Sequence, residues 1–218
     1  MAEVSASILT VEKDNATQMF YDLEVAKINY FHIDVMDGKF VERDTTSTMK
    51  DYALTISHIS NLGLDVHLMV ENVEEFMDEY LMLEPEILTF HIEATKTKER
   101  TMNIIEQIKE NGTKVGISIS PDTSIEEIKP YLPYVHMVLV MTVVPGKGGQ
   151  KLIPETLEKV KELRKYIEEN GIDIDIEVDG GINSETAESA KEAGSNILVA
   201  GNYLITAENL KEAVQSLK

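Results

Sequence analysis

Tyr30-Phe-His-Ile-Asp-Val-Met-Asp-Gly38 is the stretch that decides the fold. A strand repeats every two residues, so His32, Asp34 and Met36 project from one face. Leu64-Asp-Val-His-Leu-Met-Val70 repeats the arrangement with Asp65, His67 and Met69 in the same stagger. A third apolar run, Ile176-Glu-Val-Asp-Gly-Gly181, ends at Asp179. Two histidines and two aspartates at the carboxyl ends of three short strands form a candidate four-ligand site for a divalent cation: His32, Asp34, His67 and Asp179. Singly, a strand histidine is a packed core residue and an Asp before Gly-Gly a turn residue. The repetition argues otherwise, because buried ionisable groups at equivalent strand ends need a partner for their charge.

Working outward, strand-like and helix-like segments alternate along the whole chain. The expected strands are Val4–Leu9, Tyr30–Val35, Leu64–Met69, Ile87–His91, Lys114–Ile119, Met137–Met141, Ile174–Val178 and Asn196–Val199. Most are short, aliphatic and β-branched, as a parallel strand covered on both faces requires. Amphipathic segments separate them: Asn15–Lys27, Thr48–Leu62, Val73–Leu83, Thr97–Asn111, Ser124–Tyr131, Pro154–Asn170, Ser184–Ala193 and Ala207–Leu217. Ser124-Ile-Glu-Glu127 fits a capping box; Asn111-Gly112 and Asn170-Gly171 suit helix C-termini. Eight strand–helix repeats without a low-complexity linker predict a single (β/α)8 TIM barrel, one domain over residues 1–218. The competitor is an open doubly wound sheet, but the dinucleotide fingerprint is missing after the first strand.

Composition narrows the function. The chain has 218 residues, 43% of them apolar, enough for a globular core. No apolar run approaches the ~20 residues of a membrane span, and the N-terminus lacks a signal-peptide pattern, so a cytoplasmic location is expected. Cysteine is absent, which leaves His and carboxylate as metal ligands. The net charge of −19 argues against nucleic acid or an anionic membrane as partner. It would also repel a phosphorylated substrate, so backbone amides would have to supply local positive potential.

In a barrel the reactive groups gather at the carboxyl ends of the strands. Zn²⁺ suits two imidazoles and two carboxylates; Fe²⁺, Mn²⁺ and Co²⁺ are also open. Asp34 and Asp179 come from different strands. One could take a proton from one face of a planar enediolate while the other returns a proton to the opposite face, inverting a carbon beside a carbonyl. Glycine-rich segments fall at later strand ends: Val144-Pro-Gly-Lys-Gly-Gly-Gln150, which contains Gly146, Gly148 and Gly149, then Gly180-Gly181, then Gly201-Asn202. Such backbone can approach a phosphate closely, although Gly-Gly also simply makes turns. Met36, Met69 and Met141 lie near the same rim, either as packing or as an apolar collar that keeps water out.

At these residues the chain resembles the ribulose-phosphate 3-epimerase family. The shared motifs are Ser7-Ile-Leu9, His32-Ile-Asp-Val-Met-Asp-Gly38, Asp65-Val-His-Leu-Met-Val70, Pro145-Gly146 with Gly148-Gly-Gln150, Val178-Asp-Gly-Gly181 and Ala200-Gly201. The resemblance implies that His32, Asp34, His67 and Asp179 hold the metal, with Asp34 and Asp179 as the acid–base pair. It implies substrate contacts from Ser7, His67, the three methionines and the Gly146–Gly149, Gly180–Gly181 and Gly201–Asn202 segments. The implied reaction interconverts D-ribulose 5-phosphate and D-xylulose 5-phosphate, with a small sugar phosphate as the partner and a homo-oligomer as the assembly. Three features depart from the family pattern: Lys39-Phe-Val-Glu-Arg43, Lys147 in place of an aromatic, and Asn202 in place of Ser. Lys147 is either a solvated loop residue or a cation near the phosphate. Glu177, in phase with Asp179, would lie inside the barrel and need a donor, and His91 would be a packed or supporting histidine.

Two alternatives stay open. One is a hexulose-phosphate 3-epimerase, such as one acting on D-allulose 6-phosphate, which shares every catalytic group. The other is a non-catalytic sugar-phosphate-binding barrel, against which the retained aspartates and histidines count. A Schiff-base aldolase needs a lysine at a strand end, and no expected strand ends in one.

Overall fold

The computed structural model describes residues 2–218. Eight strands follow in chain order: β1 (Glu3–Ser7), β2 (Tyr30–Met36), β3 (Gly63–Met69), β4 (Ile87–His91), β5 (Lys114–Ile119), β6 (Met137–Met141), β7 (Asp175–Asp179) and β8 (Ile197–Ala200). Every neighbouring pair is parallel, and β1 bonds to β8 as well as β2, closing a (β/α)8 barrel. The helices are α1 (Ala16–Val25), α2 (Thr46–Ile59), α3 (Val73–Leu81), α4 (Ile92–Thr95), α5 (Lys98–Glu110), α6 (Glu155–Asn170), α7 (Ala187–Ala193), α8 (Asn202–Ile205) and α9 (Leu210–Leu217).

The period of two sorts each strand into two faces. Phe31, Ile33 and Val35 of β2, Val66 and Leu68 of β3, and Ile176 and Val178 of β7 belong to the large core shared with the helices. The helices return Phe20 and Leu23, Tyr52 and Ile56, Ile104 and Ile108, and Leu163 and Ile167 to the same core. Each such side chain stabilises the fold by roughly 1.5–3 kcal/mol when fully buried. The other strand faces fill the barrel, and they are divided. One part is a small apolar cluster of Ile87, Met137, Leu139, Met141, Val143 and Ile197. The other part is polar and buried: Ser5, Ser7, His32, Asp34, Asp65, His67, Thr89, His91, Ser118 and Glu177. Gly116 on β5 is small for a reason, since a Cβ there would sit 2.0 Å from Thr89 Oγ1.

Several elements differ from the sequence expectation. The helix expected over Ser124–Tyr131 is instead two 3-10 turns, Ile125–Glu127 and Lys129–Tyr134. Pro130 and Pro133 supply no N–H, so an α-helical ladder cannot run through this segment. Ser124 does cap, but its Oγ accepts from Glu126 N–H, not from the Glu127 N–H of a capping box. The segment Ser184–Ala193 is helical only from Ala187, because the Asn183 side chain accepts from Glu185 and Thr186 N–H and holds a turn. Ala207–Leu217 is helical only from Leu210, where Asn209 caps by accepting from Glu212 N–H. No helix among the described residues is long and apolar enough to cross a membrane.

Candidate active site

Strand register builds the site. Asp34 pairs with His67 across β2 and β3, Met36 with Met69 one step further on, and Ser7 on β1 with His32. Met141 on β6 pairs with Asp179 on β7. Because the barrel closes, β2, β3 and β7 aim these side chains at one point. His32, Asp34, His67 and Asp179 each offer a ligand atom there, all within 4.8 Å of one another. His67 Nδ1 lies 3.3 Å from Asp34 Oδ1 and 3.9 Å from Asp179 Oδ2, and His32 Nε2 lies 3.3 Å from Asp34 Oδ1. The histidine side chains are fully buried, whereas Asp179 keeps 17% of its side chain exposed toward the barrel mouth.

Neighbouring groups fix the orientation of each ligand atom. Ser7 Oγ donates to Asp34 Oδ2 at 2.7 Å. His32 Nδ1 lies 2.6 Å from Asp65 Oδ2, which also accepts from Ser5 Oγ at 2.7 Å. His67 Nε2 lies 2.9 Å from His91 Nε2, and His91 Nδ1 lies 3.1 Å from Glu93 Oε2.

The electrostatics are those of a site short of positive charge. Burial penalises a charged His32, yet Asp65 and Asp34 outweigh it and hold the ring well above the usual imidazole range. Burial likewise opposes ionisation of Asp34, but His32 and His67 hold its carboxyl below the ordinary range. For Asp179, burial first and the Asp34 charge next outweigh His32 and push its carboxyl up to about 7. Glu177 is pushed well above the carboxylate range by burial and by Asp65. Both Glu177 oxygens and Asp65 Oδ1 have no hydrogen-bond partner while both residues are ionised. A proton on Glu177 turns one acceptor into a donor beside an ionised Asp65, and that is the protonation state the packing favours.

The residues fit a divalent cation. His32 Nε2 is buried without a hydrogen-bond partner and faces two carboxylates. Two nitrogens and two oxygens are a donor set for Zn²⁺ and its neighbours, and two carboxylates balance the charge.

Above this cluster lies a cavity of about 780 Å³. Ser7, Asp34 and Asp179 form its floor, and Met36, Met69 and Met141 line its lower wall. Gly146, Gly148, Gly149, Gly180, Gly181, Gly201 and Asn202 line the same cavity, so the residues read from the sequence as ligands or substrate contacts lie in or directly beneath it. Gly181 has φ +70°, and a Cβ on it would sit 2.2 Å from Leu152 N, so a side chain there would push into the β6–α6 loop. Lys147 is exposed and also lines the cavity. Glu177 does lie inside the barrel, and His91 is packed against His67, as expected. Sequence reasoning missed the Asp65–His32 contact and Glu93. Asp65 carried a signal, since it shares strand phase with His67. Glu93 carried none, because it lies beyond the end of β4.

Fold and site together define a (β/α)8-barrel enzyme with a candidate His/Asp metal centre. The profile of the Ribulose-phosphate 3 epimerase family matches residues 3–205, and the chain belongs to the ribulose-phosphate 3-epimerase family of isomerases. It is 40% identical over 218 residues to the ribulose-phosphate 3-epimerase of Methanocaldococcus jannaschii, covering all of this chain and 90% of that one. It is 37% identical to the Bacillus subtilis enzyme of the same name, over 100% and 99% of the two chains. The chloroplastic ribulose-5-phosphate-3-epimerase of Arabidopsis thaliana is 36% identical over 99% of this chain and 75% of that one, so compartment varies among relatives. A solved 3-hexulose-6-phosphate synthase superposes with a TM-score of 0.73 at 10% identity, covering 99% and 97% of the chains; this likeness is one of fold alone.

Proposed function

We propose that the protein reversibly inverts carbon 3 of a ketose phosphate, interconverting D-ribulose 5-phosphate and D-xylulose 5-phosphate within pentose-phosphate carbohydrate metabolism. The observation that carries this reading is the meeting of Asp34 and Asp179, from β2 and β7, at one histidine-flanked point beneath a glycine-lined cavity. Relatives at 37–40% identity that are named for this reaction support it.

His32 through Nε2, His67 through Nδ1, Asp34 and Asp179 would hold one divalent ion, with Zn²⁺ the best match and Fe²⁺, Mn²⁺ or Co²⁺ the alternatives. When bound, the ion supplies Lewis-acid stabilisation of the negative charge that develops on substrate oxygen. The other tasks fall to the chain. Asp34 takes the carbon-3 proton from one face, and Asp179 delivers a proton to the other; in the reverse direction the two exchange roles. Ser7 orients Asp34 through its hydrogen bond and reaches the sugar from the cavity floor. Met36, Met69 and Met141 exclude water from the planar enediolate. Backbone amides of Gly146, Gly148, Gly149, Gly180, Gly181 and Gly201, with Asn202, bind the phosphate without a basic patch.

The experiment is carbon-3 hydrogen exchange in deuterated water with either pentulose phosphate, followed by NMR. Exchange that stops on chelation and returns with metal is expected; substrate binding without exchange would leave only a sugar-phosphate-binding barrel. A second substrate, a hexulose phosphate such as D-allulose 6-phosphate, is kept in view by one contact. Val41, in the divergent Lys39–Asp44 segment, abuts Gly146 at the cavity rim, where a Cβ on the glycine would lie 2.9 Å from Val41 Cβ. Paired assays of the two ketose phosphates separate these readings. A homo-oligomer is carried over from the family resemblance, and mass by light scattering tests it.

A further inference from the structure

The side chain of His67 is tied into a relay that leads away from the cavity. Its Nε2 meets His91 Nε2 at 2.9 Å, and His91 Nδ1 meets Glu93 Oε2 at 3.1 Å. Beyond Glu93 the relay is anchored in the loop after β5. Ser120 N–H donates to Glu93 Oε1 at 2.8 Å, and Thr123 Oγ1 donates to the same oxygen. The loop is held from its other side by Lys159 of α6, whose Nζ donates to Ser120 O, Pro121 O and Thr123 O at 2.9, 2.8 and 2.6 Å.

Hydrogen-bond accounting gives this relay a direction. Two N–H or O–H donors converge on Glu93 Oε1, so Glu93 acts as an acceptor. Its other oxygen then needs a donor, which makes His91 carry its proton on Nδ1. A neutral His91 with Nδ1–H has a lone pair on Nε2. The contact between the two Nε2 atoms needs one proton, so His67 must supply it. That leaves His67 with Nε2–H; a cation between Asp34 and Asp179 then meets a bare Nδ1 lone pair, whereas without a cation Asp34 Oδ1, 3.3 Å away, competes for a proton on that nitrogen.

We propose that Glu93 is a positioning residue: acting through His91, it fixes the Nε2–H tautomer of His67 and so keeps the Nδ1 lone pair aimed at the Asp34–Asp179 point. The inference rests on the metal reading under Proposed function, because a cation at that point removes the competing claim of Asp34 on a His67 Nδ1 proton. Lys159 and the loop it clamps hold Glu93 in register, so α6 bears on the relay through that loop.

Glu93→Gln is the diagnostic change. The amide has the size of the carboxyl, but its oxygen must stay where Ser120 N–H and Thr123 O–H donate. Its NH2 then faces His91 Nδ1. Every proton in the relay reverses, and His67 presents Nδ1–H to the site. Nitrogen NMR of histidine-labelled protein should show Nδ1–H on His91 and Nε2–H on His67 in the Zn²⁺-loaded wild type, and the opposite pair in metal-free Glu93→Gln. Zn²⁺ affinity, measured by chelator competition, should fall about 10–100-fold in Glu93→Gln. Nε2–H rather than Nδ1–H on His91 in the Zn²⁺-loaded wild type would overturn the proposal even if the variant failed to fold. So would a folded Glu93→Gln protein with wild-type tautomers and Zn²⁺ affinity. A wild type that binds no Zn²⁺ would overturn the metal reading itself, a failure distinct from either of these.

Discussion

His32 Nδ1 and Asp65 Oδ2 lie 2.6 Å apart in the closed interior of the barrel, both side chains without solvent exposure. Asp65 thereby turns the opposite ring nitrogen, Nε2, toward Asp34 and Asp179. Asp65→Asn puts a neutral amide in that place and is expected to weaken divalent-metal binding about 10–100-fold, read by chelator competition. Asp65→Ala also strands His32 Nδ1 and Ser5 Oγ, at a cost of about 1–3 kcal/mol in denaturant unfolding.

Asp34→Asn and Asp179→Asn each remove one of two carboxyls that the proposed inversion needs. Each variant should lower turnover of the pentulose phosphate at least ~100-fold, and isotope exchange at carbon 3 should fall with it. Circular dichroism of both variants should match wild type. Retained exchange in both would dismiss the two-carboxyl scheme.

Lys147 reaches the cavity from an exposed loop in a chain of net charge −19. Lys147→Ala should raise KM for the phosphorylated substrate at low ionic strength and leave kcat nearly unchanged. The difference should shrink as salt rises, because an exposed charge is screened within about 10 Å at 0.1 M salt. A KM equal to wild type at every salt concentration would make Lys147 a bystander.

Glu93 gives a pH signature. Burial works against its ionisation, but donors from His91, Thr123 and Ser120 prevail and bring its pKa to about 2, below the ordinary 4.5. A depressed acid stabilises the fold fully above about pH 4.5, and the contribution is lost as pH falls toward 2. Urea unfolding of metal-free wild type should therefore weaken more steeply over that interval than unfolding of Glu93→Gln. Parallel curves would remove Glu93 from the acid response.

Gly116 and Thr89 face each other across β5 and β4, and a methyl on Gly116 would strike the threonine hydroxyl. Gly116→Ala should destabilise by about 1–3 kcal/mol through overpacking. Thr89→Ala in the same chain should recover much of that loss, giving a favourable coupling energy in a double-mutant cycle.

Much of the barrel was legible because its strands obey a period of two and its outward faces are uniformly apolar. His32, Asp34, His67 and Asp179 could be picked out because each interrupts an aliphatic strand at the same end. The helix expected over Ser124–Tyr131 failed because apolar spacing was read there while Pro130 and Pro133 decided the backbone. Glu93 was invisible for a different reason. Its partners Ser120 and Thr123 are 27 and 30 residues away, and only the parallel pairing of β4 with β5 brings their loop beside it. Asp65 was in view but underread, since phase reveals which way a side chain points and not what it meets.

The acids deep in the barrel tie durability and chemistry to the same positions. Asp65 and Glu177 occupy places that a structural barrel would give to leucine or methionine, and partnerless oxygens there cost folding free energy. An apolar residue at position 65 would not recover that cost: it strands His32 Nδ1 and Ser5 Oγ, so the chain is expected to melt at a lower temperature and to have lost the anchor that turns His32. Hardening this protein for use in heat should therefore begin on the helices and surface loops, leaving its sour centre untouched.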